Sequence, residues 1–159
     1  MKYFSILLLF FCSFQNTIGN VEKLDKEYGF RNHSFGTLIS AFKNLVFTGG
    51  IGEVKNFENR ADDLSFGDYK ANKISYFFYK NKFYRYVIEI KGIENRKGIL
   101  AWFQSQYGPG ALKNAKTNRY VWMGKEVIAD YVETPTGAII EVSSKQYEDL
   151  IESGKDRAE

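Results

Sequence analysis

The sequence predicts an α+β fold, with one twisted antiparallel β-sheet and two or three helices covering one face. Three observations carry this expectation. Lys73–Lys91 holds two aromatic and β-branched runs around a polar Lys80-Asn81-Lys82 break, the pattern of a β-hairpin. Residues 119–143 read as three further short strands, parted by Gly124 and by Thr134-Pro135-Thr136-Gly137. Between these regions Ile99, Phe103 and Tyr107 recur at helical spacing and run into Gly108-Pro109-Gly110, a helix stop.

Residues 1–19 read as a secretory signal peptide. Lys2 is a short basic region, Tyr3 to Phe14 is apolar apart from Ser5, Cys12 and Ser13, and Thr17-Ile18-Gly19 offers small residues for cleavage before Asn20. That run is shorter than the roughly 20 apolar residues a permanent span needs. Cys12 raises a lipid-anchored alternative, which the bulky Phe10-Phe11 pair before it disfavours. Removing 19 residues from 159 leaves 140, enough for one domain with a real core. The leader carries one lysine and no acid, so the net charge falls from +3 to +2. Such a balance excludes a basic footprint for nucleic acid. Cys12 leaves with the leader, so no disulfide remains, and the expected location is periplasmic or secreted.

Asn20–Glu27 reads as a charged, flexible arm preceding a single domain over residues 28–152, with a disordered tail at 153–159. Tyr28–Phe35 suggests a first strand ending at Gly36. Thr37 is placed to cap a short helix with Leu38, Phe42 and Leu45 on its buried side. Val54–Phe57 suggests a strand and Gly67-Asp68 a turn, while Ile51–Asn72 otherwise stays illegible. In the hairpin, Tyr84, Tyr86, Ile88 and Ile90 alternate with Arg85 and Glu89. A two-residue turn sets Phe77 on the face of Tyr84 and Tyr86, and a three-residue turn sets Ile74, Tyr76 and Phe78 there. Both registers stay open. Asn95 is placed to cap the second helix, 96–107, and 111–118 reads as a loop. Tyr120, Trp122, Val127, Ala129, Tyr131, Ile140 and Val142 fall on one face of the meander in a single consistent register. Ser144 then caps a last helix with Tyr147, Leu150 and Ile151 inward.

One histidine and no mature cysteine exclude a Cys/His zinc cluster and a Cys-His pair. No nucleophile elbow, phosphate loop or dinucleotide fingerprint occurs, so no cofactor is expected. His33 reads as an exposed loop histidine, and the sequon Asn32-His33-Ser34 matters only in a glycosylating host. Asp62, Asp63 and Asp68 do not follow calcium-loop spacing, and no metal site is expected. The meander register sets Asp130 opposite Glu141, a like-charge pair that a cation or a raised pKa would relieve. Two carboxyls on one face are also what glycan hydrolysis needs. The plainer reading is a solvated pair neutralised by lysines such as Lys125. Ten tyrosines and ten phenylalanines follow the leader. Tyr76, Tyr79, Tyr84 and Tyr86 are too many for every hydroxyl to be buried, so a ring is expected at a surface.

Phe35-Gly36, the Lys-Asn-Lys-Phe-Tyr turn of the hairpin, Tyr107-Gly108-Pro109 and Tyr120-Val121-Trp122-Met123-Gly124-Lys125 together form a pattern. It resembles a group of exported bacterial proteins with no assigned function. The order of helices and strands is also similar in architecture to β-lactamase-inhibitor-like modules and outer-membrane-assembly lipoprotein modules. The motifs are structural, so the resemblance implies a fold and no catalytic residue. The expected function is a non-enzymatic binding module with Tyr76, Tyr84, Arg85 and Tyr86 as its contact surface. Its partner would be a protein or glycan of the cell envelope. The alternative is a small glycan hydrolase using Asp130 and Glu141.

Overall fold

The computed structural model describes residues 21–154. The expected leader, Cys12 and the segment after Gly154 lie outside the described residues. The chain opens with helix α1 (Val21–Glu27), a small hairpin β1 (Gly29–Phe30) and β2 (His33–Ser34), and a single 3-10 turn at Ile39–Ala41. Strands β3 (Leu45–Ile51) and β4 (Val54–Asn59) follow, then a second small hairpin, β5 (Ser65–Phe66) and β6 (Tyr69–Lys70). The aromatic hairpin is β7 (Lys73–Tyr79) and β8 (Lys82–Lys91), leading to helix α2 (Ile93–Tyr107). The meander is β9 (Ala111–Asn114), β10 (Arg119–Met123), β11 (Val127–Thr134) and β12 (Gly137–Ser144), closed by helix α3 (Lys145–Ser153).

Eight strands form one antiparallel sheet in the order β3-β4-β7-β8-β12-β11-β10-β9. Helix α2 carries the chain from the centre of the sheet to its far edge. The second meander then runs back until β12 pairs with β8. Each half is thus a four-stranded meander whose last strand lies at the middle. Helices α1 and α2 cover one face, where Leu24, Ile99 and Phe103 join Tyr86, Ile88, Trp122, Ala129 and Ile140 in one core. Burying the leucine, isoleucine and phenylalanine side chains among them stabilises the fold by roughly 1.5–3 kcal/mol each. Among the described residues, no helix is long and apolar enough to cross a membrane.

The meander register is the expected one, with Trp122 opposite Ala129, Tyr131 opposite Ile140 and Asp130 opposite Glu141. The hairpin turn is a two-residue Lys80-Asn81 turn, and both residues take positive φ (47° and 62°), as a tight hairpin of this hand requires. A bulge then changes the faces. Phe78 pairs with Phe83 and Phe77 with Arg85, so Tyr84 is the extra residue. Beyond it Tyr76 faces Tyr86 and Ile74 faces Ile88. Tyr84 therefore does not share the face of Tyr86. It packs beside Tyr147, on the side of Arg85.

Four local expectations are corrected. The arm expected at 20–27 is helix α1 from Val21 onward, anchored by buried Leu24. The helix expected from Thr37 is only the 3-10 turn. Its backbone is claimed instead by the hairpin tip, with Gly36 and Phe83, Thr37 and Phe83, and Ile39 and Asn81 hydrogen-bonded. Leu45 then starts β3, and the run of Val46, Phe47 and Thr48 suits a strand. Residues 111–114, read as a loop, form edge strand β9. Asn95 does not cap α2, which starts after Gly92; its amide instead donates to the Lys91 carbonyl.

Candidate functional site

A concavity lies under the helices, where the end of α1, the β1–β2 hairpin, the β5–β6 hairpin and α2 meet over β8. It encloses about 360 Å³. Glu27, Arg31, Phe66, Tyr86, Trp102 and Tyr107 line it, with Gln106 at the rim. Helical spacing puts Trp102 and Gln106 one turn apart on α2. The bulge in β8 turns Tyr86 inward as the floor. Arg31 reaches the site from the two-residue turn between β1 and β2, where it takes a positive φ of 55°.

The polar groups are ordered by one another. Tyr107 donates its hydroxyl to Glu27 Oε2 at 2.5 Å, and Lys23 donates to Gln106 Oε1 at 2.5 Å. Burial, then the Glu27 carboxylate, pushes the Tyr107 phenol well above its usual range, so it stays a protonated donor. Tyr86 is raised the same way, chiefly by its complete burial. Arg31 lies over the Phe30 ring at 4.7 Å, and its guanidinium also donates to Asp62 and to the Asp63 carbonyl. Trp102 meets Phe66 edge-on at 5.2 Å. The site thus offers aromatic walls, one carboxylate, one guanidinium and one amide.

The expected contact surface does not exist as a surface. Tyr76, Tyr84 and Tyr86 are 4%, 1% and 2% exposed. Tyr79 is buried as well, so the hairpin hides all four rings that were expected to compete for space. Their hydroxyls can be buried because partners were built in: Tyr76 donates to Asp62 at 2.6 Å, and Tyr84 accepts from Arg85 at 3.0 Å. Burial pushes the Tyr84 phenol up to about 12. Tyr76 and Tyr86 lie on the core side, and Tyr84 and Arg85 on the opposite face. The four residues are therefore split between two places.

On that opposite face an open groove of about 900 Å³ runs between the tip of β3–β4, the hairpin tip and α3. Arg85 sits in it, with its guanidinium 4.5 Å from the Phe77 ring and 5.2 Å from the Tyr84 ring. It pairs with Glu141 at 3.0 Å and approaches Glu148 at 4.0 Å. Burial raises the Glu148 carboxyl above its usual range.

Asp130 and Glu141 are cross-strand partners, but each already has its own arginine. Arg119 Nε donates to Asp130 at 2.9 Å and 3.0 Å, and Arg85 holds Glu141. The neutralising charges are arginines rather than lysines; Lys125 pairs with Glu126 instead. His33 is stacked on Phe42 at 3.8 Å between ring centroids. Asp62 is held by Tyr76 and Arg31, and Asp63 caps the Ser65 amide, which lowers its pKa. Among the described residues, no group of three His, Cys, Asp or Glu is placed to hold a metal.

Sequence reasoning passed over Glu27, Arg31, Gln106 and Tyr107 as site residues. They come from three separate segments, and nothing in their spacing links them. The one available signal was Trp102, which stands on the flank of the α2 row and is half-buried rather than core. The chain matches no family model, no curated protein and no solved structure.

Proposed function

We propose that the protein is an exported, non-enzymatic binding module that holds a short saccharide segment in the cleft beneath its helices. The observation that carries this reading is the composition of the cleft wall. Trp102 stands half-buried in the cleft wall beside buried Phe66, where it can meet the C–H face of a sugar, while Glu27, Arg31 and Gln106 are planar polar groups that can bond sugar hydroxyls in addition to their protein partners. A carboxylate and a guanidinium together give no net preference for a charged ligand. A volume of about 360 Å³ suits a ligand of one or two sugar units. Hydrolysis would call for two carboxyls about 5–10 Å apart along a groove. Among the residues lining this cleft, Glu27 is the one carboxylate, and Tyr107 already occupies it.

The test is a titration with glucose, N-acetylglucosamine, cellobiose and chitobiose, read by tryptophan fluorescence and by calorimetry. Saturable binding by at least one probe is expected, and Trp102→Ala should weaken it about three- to tenfold, the worth of one aromatic contact. Absence of any saturable signal, or binding indifferent to both Trp102→Ala and Glu27→Gln, would remove the proposal.

A further inference from the structure

Several buried tyrosine hydroxyls of this fold have partners built in. Tyr76 donates to Asp62, Tyr84 accepts from Arg85, Tyr107 donates to Glu27, and fully buried Tyr131 donates to Glu133 at 3.2 Å. Tyr86, on the cleft floor, is different. It is 2% exposed, yet its hydroxyl forms no hydrogen bond among the described residues. A buried polar group left in this way costs folding free energy, so its presence calls for a use.

Packing does not supply that use. The ring lies opposite Tyr76 on β7 and Val142 on β12, with the Phe30 ring 4.3 Å away between centroids. A phenylalanine ring would fill the same space. Beyond burial, the groups acting most strongly on the hydroxyl are Tyr107 and Glu27, then Tyr76 and Arg31. Tyr107, Glu27 and Arg31 all line the cleft, so the phenol end lies on the cleft side. Burial keeps it protonated, which makes it a donor.

We infer that the Tyr86 hydroxyl anchors the ligand at the cleft floor, donating to an uncharged oxygen, a hydroxyl or an acetamido carbonyl, at the buried end of a neutral sugar. This rests on the saccharide reading above and adds to it the residue that selects the ligand's inner end. An anionic oxygen is disfavoured there, because Glu27 acts on that point more strongly than Arg31.

Tyr86→Phe tests this, by calorimetric titration with the four neutral sugars named above and with glucuronic acid, and by urea unfolding in parallel. The variant should be at least as stable as the parent, since it removes a donor with no protein partner. It should bind the best neutral sugar at least about fivefold more weakly, the worth of one buried hydrogen bond to a ligand. Tyr131→Phe, which loses a built-in hydrogen bond outside the cleft, should show the reverse: lower stability and unchanged affinity. If the parent binds a sugar and Tyr86→Phe binds it equally well, the anchor is overturned and the saccharide reading stands. A stability loss in Tyr86→Phe overturns it too, because the hydroxyl would then serve the fold. So does a preference for glucuronic acid over every neutral sugar. If the parent binds none of the sugars, the saccharide reading itself fails and the anchor falls with it.

Discussion

The carboxylate of Asp25 accepts a hydrogen bond from the backbone amide of Val127 at 2.9 Å, and it also takes the amides of Glu126 and Lys125. One side chain of α1 thereby caps the whole turn between β10 and β11. A Cβ on Gly124 would stand 2.3 Å from Asp25 Oδ1, so the approach depends on glycine there. Asp25→Ala leaves three amides without this partner, one of them on fully buried Val127. The expected loss is about 1–3 kcal/mol in urea unfolding. Asp25→Asn keeps one acceptor oxygen and should lose less, while Gly124→Ala should resemble Asp25→Ala. Equal stability for Asp25→Ala and the parent would show that α1 is not fastened by this contact.

Helix α2 and the cleft are coupled through Gly98. A Cβ at that position would meet three atoms of the Tyr69 ring at 2.3 Å. Tyr69 sits on the β5–β6 hairpin, which also supplies Phe66 to the cleft wall. Gly98→Ala should gain about 1 kcal/mol of helix propensity but push the hairpin off α2, giving a net loss of stability and weaker saccharide binding. The double variant Gly98→Ala/Tyr69→Ala removes the clash and should recover the propensity gain. Chemical denaturation of all four members of the cycle checks it, and additive single effects would refute the coupling.

Trp122 fixes the C-terminal end of α2 from below. Its indole N–H donates to the Gly108 carbonyl at 2.7 Å, and its ring packs on Phe103. Trp122→Phe keeps a ring but leaves a carbonyl unpaired and a void beside Gly110. A loss of about 1–3 kcal/mol is expected in thermal or urea unfolding. Trp122→Ala should cost about 3–5 kcal/mol.

These contacts explain which parts of the fold could be read from the chain. The meander from 119 to 143 was legible because its alternation and its turns agree on one register. The hairpin was legible as a hairpin, but its faces were not, since one extra residue at Tyr84 reverses them and aromatic residues occupy both sides. Leu38, Phe42 and Leu45 have helical spacing by coincidence; the hairpin tip takes the backbone bonds a helix would have used. Helix α1 is seven residues long with one buried leucine, too weak a local pattern to see. What holds it is Asp25 bonded to amides about a hundred positions away, and no window of sequence contains that. The cleft was hidden for the same reason: Glu27, Arg31 and Trp102 become neighbours only through the sheet.

The last expectation concerns Arg85 and the two acids beside it. Burial is the largest influence on Glu148, and it raises the carboxyl above its ordinary 4.5 despite the attraction of Arg85. Its Oε1 atom is buried without a hydrogen-bond partner. A carboxyl raised on folding favours the folded state most when protonated in both states, so its contribution is complete below pH 4.5 and declines as pH rises through the folded value. Glu148→Gln removes this decline, while Glu141 still balances Arg85 at 3.0 Å. The stability of Glu148→Gln relative to the parent should therefore rise as pH climbs above 4.5, then level off once the folded carboxyl has ionised. Urea unfolding at half-unit pH intervals measures that difference. A difference that falls with pH would mean that attraction to Arg85 outweighs the cost of burying the carboxylate, and that Glu148 serves as a structural ion-pair partner.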